Sequence, residues 1–491
     1  LLLKTVLSQQ KETITIESKE FDQEFNEVHK DTLNANKKNG LDEKVKQISN
    51  NGNKKPLNKK PTKKRFIPFV KPMDEVSIKD YKIMYLDGSE KDVDTSLSIE
   101  GEYTFNFLRK DYFEYLTFPN MGEAFNKMGY NFHEQPLTPQ MGARVKHFGY
   151  FEKEDVPYYE VPSPYTELFF KSTFQQGQNL DATLAINTSP KFNIAVSFKG
   201  FRSLGKYLAS LSRARQFRIS SQYQNYNKRY RMRLHQTTQS LENQVNGGLT
   251  NDSDYFFQNA PNYVTADESG NPVLDENGNE QIVFYDGFLD RNRLETNLKA
   301  DNILKGKRYF MEHRYQIIPV EIDSTVYKLN IGFRASLENK TYQYTQSRPG
   351  LYFYDIYETT SIDDVTTLNT LENNLFLSFK DKTLGQLNLD LYHHNWNYSI
   401  GPNEYQKDTL LSNEIDASQI AAQAHWVKEI FGITSEVKAY QSFKKEYSTQ
   451  ALQVNLSRPL IKDIILGASY DYRSQPLNFN FYLLQSDFRE Y

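Results

Sequence analysis

The sequence predicts an all-β chain: a transmembrane antiparallel β-barrel of about 16 strands, preceded by a disordered linker and a small extended N-terminal segment. Three observations carry this. From Tyr165 onward apolar and polar residues alternate with a period of two, as in KFNIAVSFKG (191–200) and VYKLNIGFRASLE (326–338). The alternating runs reach about 10–13 residues, the length of a tilted strand crossing a bilayer, against about 5–6 in ordinary sheets. Mean hydropathy is nevertheless −0.70, as expected when the second face of each strand is wetted by a water-filled interior.

Composition narrows the alternatives. The 491 residues carry 59 Lys+Arg and 62 Asp+Glu, and a net charge of −3 gives no bulk attraction to nucleic acid. Cys is absent, which removes thiol chemistry and, in an exported protein, any disulfide framework. No stretch approaches the roughly 18–20 apolar residues of a transmembrane helix.

Taken in order, LLLKTVLSQQ (1–10) reads as the end of an export signal, residues 1–8, with Val6 and Ser8 at the −3 and −1 positions of a cut before Gln9. The bland alternative is a short buried helix or strand. No Cys follows the apolar run, so it is not a lipoprotein signal. Residues 9–75 are polar and basic, with KKPLNKKPTKKR at Lys54–Arg65; such a segment buries too little apolar area to offset its ordering entropy. It reads as a solvated linker, or as a tether to an anionic lipid head group or the cell wall. Residues 76–164 read as an ordered N-terminal periplasmic segment or small plug, with a turn at Asp87-Gly88. Residues 165–491 form the barrel. Its expected strands include 292–301, 307–317, a weak 351–358 and 476–485. Tight turns are expected at 187–191, 224–228, 302–306, 345–350, 380–384, 429–432 and 458–462, longer connections at 202–212, 243–290, 359–372 and 395–417, and short ones at 318–325 and 444–449. Short turns on one side and long loops on the other are the habit of outer-membrane barrels. Periplasmic short turns put the N-terminus in the periplasm.

QLNLDLYHHNWNY (386–398) shows the pattern well. Leu387, Leu389 and Leu391 take one face; Asn388, Asp390 and Tyr392 take the other. Trp396 and Tyr398, with Trp426 on the next strand, are expected in an aromatic girdle at the membrane interface. Ordinary packing is the alternative for each.

EYTFNFLRKDYFEYLTFPNMG (102–122), QMGARVKHFGY (140–150), PYTELFFKSTFQQGQNLDATLAINTSPKFNIAVSFKGFRSLGKY (164–207) and YLLQSDFREY (482–491) together resemble the "putative porin" family of Bacteroidetes outer membranes over residues 76–491. The resemblance implies an outer-membrane β-barrel with a signal peptide. Its motifs are framework, so no functional residue is carried over, and YLLQSDFREY resembles an internal strand, which implies a barrel larger than sixteen strands.

Candidate functional residues come from the polar sides of two strands. Arg218, Arg229, Arg231, Arg233 and His235 are expected to line the lumen, opposite Phe217, Ile219, Tyr230, Met232 and Leu234; a pore so lined favours anions. The alternative is lumen packing, through pairing with Glu295, Asp301, Glu312 or Glu338. His393-His394 points to opposite faces of a strand and cannot ligate one metal ion. The eight His show no metal-binding spacing, nothing singles out a nucleophile, and no cofactor motif occurs. The loop 267–281, DESGNPVLDENGNEQ, lacks the order of a Ca²⁺ loop and reads as a hairpin tip. The expected function is passive diffusion of small hydrophilic solutes across an outer membrane, anions preferred, with outer-membrane lipid as the surrounding partner. The alternative is a non-conducting barrel that serves as subunit or docking partner in a larger envelope complex, such as secretion or gliding machinery.

Overall fold

The computed structural model describes residues 75–483 apart from 94–98, 112, 119, 131–135, 174–176, 260–261, 265–266, 268, 270, 284–293, 319–327, 348–360, 402–412, 444–446, 462–463 and 475. The signal and linker readings for 1–8 and 9–74 fall outside these residues.

Five short strands come first: β1 (Lys82–Met84), β2 (Glu90–Asp92), β3 (Tyr115–Thr117), β4 (Phe125–Lys127) and β5 (Tyr158–Glu160). β1 pairs with β2 and β5, and β3 with β4. Then follow β6 (Tyr165–Thr173), β7 (Gly177–Ser189), β8 (Phe192–Ser203), β9 (Ser212–Gln224) and β10 (Tyr230–Val245). Helix α1 (Asn251–Asn259) and a small hairpin of β11 (Tyr263–Val264) and β12 (Ile282–Val283) occupy the next connection, so the carboxylate-rich loop is a hairpin tip, as expected. β13 (Ala300–Ile318), β14 (Lys328–Gln346), β15 (Ile362–Asp381), β16 (Gly385–Ile400), β17 (Glu414–Ile430), β18 (Ile433–Ser442), β19 (Gln450–Ile461) and β20 (Ile464–Ser474) complete the order. β6–β10 and β13–β20 form one antiparallel sheet of 13 strands in chain order, with β6 and β20 at its edges.

Three differences separate thirteen from the expected sixteen. The runs 292–301 and 307–317 are not two strands: NILKG (302–306) pairs in register with both neighbours inside β13. Its Asn and Gly mimic a turn, but Gly306 sits where Tyr150 packs against the strand, a position that needs no Cβ. The run 476–485 holds a 3₁₀ turn, Phe479–Phe481, because Phe479 is fully buried between Trp396, Tyr398 and Tyr447. The weak 351–358 run lies outside the described residues. Where the sheet has tight turns they are chemically apt. Phe431 and Gly432 both take positive φ, 53° and 74°, the geometry of a primed hairpin turn. Asp381 caps its turn by accepting from the Thr383 and Leu384 amides.

The two faces of the sheet differ, and the difference inverts partway up. Near the tight turns, outward positions are apolar: Ile194, Val196 and Phe198 on β8, Ile331 and Phe333 on β14, Leu387, Leu389 and Leu391 on β16. Inward positions there are polar. Above a line running through the neighbours Phe198 and Phe217 and, on the far side of β10, the neighbours Tyr309, Leu337 and Leu371, outward positions become Asn, Thr, Lys, Arg and Asp. Asn339, Asn369, Asn397 and Asp416 form a hydrogen-bonded ladder across four strands, with links of 2.6, 3.3 and 2.8 Å. The inward side of this upper half is apolar and builds the main core, with Phe201, Leu241, Leu304, Leu368, Trp396 and Tyr398. This inversion explains two corrections. β15 and β16 run on through 362–372 and 395–400, which read as loops because their outward residues are polar. Trp396 and Tyr398 face inward, 4% and 1% exposed, not outward in a girdle. Trp426 does face outward at the tight-turn end, where its indole donates to Leu384 O at 2.8 Å.

The band gives a direct test. Leu389→Arg, within the outward apolar band, is expected to lower unfolding free energy in lipid vesicles by roughly 2–4 kcal/mol, and Thr367→Arg, above the line, by about 0–1 kcal/mol. Equal penalties in urea titrations would disprove the boundary.

Candidate functional site

The polar face is the candidate site, and the chain itself covers much of it. The described parts of residues 99–163 climb this face and return along it. Phe105 packs edge-on against Phe169 at 4.7 Å, and its carbonyl accepts from Lys171. Arg109 pairs with Glu167 at 2.7 Å. At the long-loop end Asn120 donates to the Ser203 and Ser210 carbonyls, and Gly122 O accepts from Asn243. The return run has no strand partner until β5, so wall side chains satisfy its backbone, as burial demands. Gln216 donates to Gly149 O, and Gln239 bonds both Phe151 N and Phe151 O, at 2.8 and 2.9 Å. Ser220 donates to Pro157 O, and Asn193 accepts from Val161 N.

Charges lock the contact. Arg308, 1% exposed, donates to Phe151 O at 2.9 Å and meets Glu152 at 3.1 Å and Glu338 at 2.5 Å. Lys340 binds Glu152 at 2.9 Å, and the Tyr150 hydroxyl donates to Glu338 at 2.7 Å. Lys153 pairs with Glu372. Burial pushes the Glu152 carboxyl up, but the Lys340 and Arg308 cations outweigh it and hold it down at about 2. Burial lowers Lys153 as well, yet the Glu372 carboxylate keeps it raised. His147 is driven down to about 3 by burial, then by Lys340 and Arg144, and stays neutral. Beside this network lies a polar cavity of about 480 Å³, lined by residues that include Arg144, Glu154, Ser336, Thr370 and His394. Further round the sheet the polar face is less enclosed. Asn388, Asp390, Gln423, His425, Glu436 and Lys438 are half-buried, and Glu436 gathers His425 at 2.9 Å, Lys438 at 2.9 Å and Asn455 at 3.2 Å.

Of the five sequence-selected residues, Arg218, Arg231, Arg233 and His235 lie on this inner side, but three of them are sealed. Arg218 lies over the Phe151 ring at 4.0 Å; Arg233 donates to Tyr85 O at 3.0 Å; His235 bonds the Tyr158 hydroxyl at 2.7 Å. They are 7%, 3% and 4% exposed, so they meet the covering segment instead of an open lumen. Arg229, in the turn before β10, and Arg231 remain half-buried. Arg231 stands opposite Arg314, and among the described residues neither makes an ion pair. Of the expected neutralising carboxylates, Glu312 lies 3.9 Å from Arg233 and 2.7 Å from Arg334, and Glu338 pairs with Arg308. Asp301 faces outward and Glu295 lies in a loop. His394 turns inward, 3.7 Å from Glu372, while His393 faces outward near Ser418. The Arg308–Glu152–Lys340 lock escapes sequence reading, since Arg308 and Lys340 lie on neighbouring strands and Glu152 far earlier in the covering segment; inward charges of both signs on consecutive strands are its one trace.

A family profile described as "Putative porin" matches residues 77–491. No curated protein matches the chain. Among solved structures, the crystal structure of the ferric citrate transporter FecA in the unliganded form is similar over 60% of this chain and 48% of that one, at 12% identity and a TM-score of 0.31. The chain thus spans about half the length of that structure.

Two measurements probe the covering segment. An added Cβ at Gly306 meets the Tyr150 ring and hydroxyl. Gly306→Ala should therefore cost about 1–3 kcal/mol by overpacking and speed tryptic cleavage at Arg144, Lys146 and Lys153 about tenfold, with the sheet intact by circular dichroism; unchanged protection would refute the docking geometry. The second measurement is pH. Burial raises Glu123 to about 7 and lowers Lys146 to about 7. Between pH 4.5 and 7 the docked Glu123 keeps a proton that the undocked form loses, so docking weakens as pH rises. Between pH 7 and 10.5 the docked Lys146 has lost a proton that the undocked form keeps, so docking strengthens. Hydrogen exchange of residues 120–150 should show least protection near pH 7, and Lys146→Met should abolish the alkaline recovery. A monotonic profile in the wild type would contradict this.

Proposed function

The chain belongs to the family described as "Putative porin", and on that premise we propose an outer-membrane β-barrel channel for passive diffusion of small hydrophilic solutes. The observation that carries this is the two-faced wall: an apolar band outward and a polar face inward on neighbouring strands, as a barrel enclosing water in lipid requires. The edges β6 and β20 support closure by further strands. Unpaired backbone groups in hydrocarbon cost several kcal/mol each, and single-chain bacterial barrels have even strand numbers, which suits the expected sixteen or more. The tight-turn side faces the periplasm in this reading, and residues 1–75 supply an export signal and a polar linker. Solutes pass along the less enclosed polar face of β16–β20. Anion preference rests on Arg229, Arg231 and Arg314 at the tight-turn mouth, because Arg218 and Arg233 are sealed.

A second reading has its own observation. Residues 99–163 and Phe479 fill much of the inner side, which favours a non-conducting barrel that serves as subunit of a larger envelope assembly. Planar-bilayer recording separates the two: stable open steps support the channel, and silence with co-purifying envelope proteins supports the subunit. In a KCl gradient the wild type should prefer anions. Arg229→Gln with Arg231→Gln should move the reversal potential toward cations, and Arg218→Gln should leave it in place. A cation-selective wild type, or the opposite ranking of the variants, would remove the anion preference.

A further inference from the structure

We propose that the outward side of β8–β13 carries a binding site for the phosphorylated head group of an outer-leaflet lipid. It rests on the outer-membrane reading above and concerns the opposite side of the wall from the solute path. Arg202 follows the outward Phe198 on β8, Arg215 and Arg213 follow Phe217 on β9, and Lys307 and Lys305 follow Tyr309 on β13. The register joins them into one patch. Arg202 faces Arg213, Arg215 reaches Lys305 across Ser240, and Lys307 stands beside Thr238. Four neighbouring strands at about 4.8 Å spacing make the patch roughly 15 Å wide.

Its charge is not balanced. Arg213 pairs with Glu242. Among the described residues Arg202, Arg215, Lys305 and Lys307 make no ion pair, and all four are exposed. Lys307 lies 5.3 Å from the Tyr309 ring, just above the apolar band. The cations are confined to this sector. Outward positions at the same height on β14–β17 are Asn339, Thr341, Asn369, Asn395, Asn397, Ser418 and Asp416, with no Lys or Arg. A general solubility collar would spread its charge; this one gathers it.

Position and charge together select the occupant. The patch begins where the apolar band ends, so an anion bound there has acyl chains directly below it against Val196, Phe198, Phe217 and Tyr309. Guanidinium forks take phosphate bidentately, and ammonium groups add point charge. Basic clusters at a membrane surface bind anionic head groups in this way. A doubly phosphorylated glycolipid fits both parts of the patch, the cationic upper part and the apolar part beneath.

The test uses the full chain, purified in detergent and reconstituted in phosphatidylcholine vesicles. Titration with diphosphoryl lipid A, monophosphoryl lipid A and an enzymatically dephosphorylated form should show affinity falling in that order, at least tenfold from first to last, and weakening with salt. Arg202→Gln, Arg215→Gln, Lys305→Gln and Lys307→Gln combined should abolish the ranking. Conductance in lipid A-free bilayers should not change, since these side chains point away from the lumen, so a silent wild type would count against the channel and not against this site. Inorganic phosphate should compete only at far higher concentration; competition at equal concentration would mean a free-phosphate site and overturn the lipid assignment. Equal binding of all three lipids by the wild type would overturn it even if the combined variant fails to fold. Unaltered ranking in a folded variant, or loss of an acidic partner protein with no change in lipid binding, would overturn it too.

Discussion

The rest of the structure depends on one line across the sheet, where apolar and polar residues exchange faces. Below it the outward positions are apolar and the inward ones polar. Above it the outward positions are polar and the inward side holds a core of Phe201, Leu241, Leu304, Trp396, Tyr398 and Phe479. A strand can do this without any break, because side chains alternate strictly and only the chemistry of each set has to change. β16 crosses the line within one strand, from Leu391 to Asn395 on its outer side and from Asp390 to Trp396 on its inner side.

That inversion sets what sequence reading can see. The lower half was legible: alternation placed the strands, the tight turns at 187–191, 224–228, 380–384 and 429–432 and the outward leucines, and it put Arg218, Arg231 and Arg233 on the inner side; the turn expected at 458–462 instead has Arg458, Pro459 and Ile461 within β19, paired with β20. The upper half misled, because polar residues in 362–372 and 395–400 suggest loops when lipid is assumed to be the exterior. Gly306 misled for a related reason: a glycine in a strand looks like a turn until the Tyr150 ring is seen against it. The covering of Arg218, Arg233 and His235 was illegible, since it depends on pairs such as Tyr158–His235 that are 77 residues apart.

The charges inside the wall divide by what surrounds them. Arg308, Lys340 and Glu338 are largely enclosed and pair with one another and with the half-buried Glu152, an arrangement whose value lies in fixing one geometry more than in stability, since desolvation cancels much of the attraction. The paired carboxylates decide where residues 150–153 sit. The half-buried groups round Glu436 keep a solvated environment, where ion pairs contribute little and remain free to exchange partners.

The covering segment also has a consequence in time. It precedes every strand of the wall in the chain, yet its anchors are distant: Tyr150 to Glu338 spans 188 residues and Lys153 to Glu372 spans 219. Closing such loops costs entropy before any contact compensates for it, so folding that relies on distant pairs is slow. The neighbouring strands, by contrast, zip through short hairpins. Residues 99–163 are thus synthesised before the wall they anchor to and fastened to it last, and the wall must gather round a strand-poor thread that waits for it.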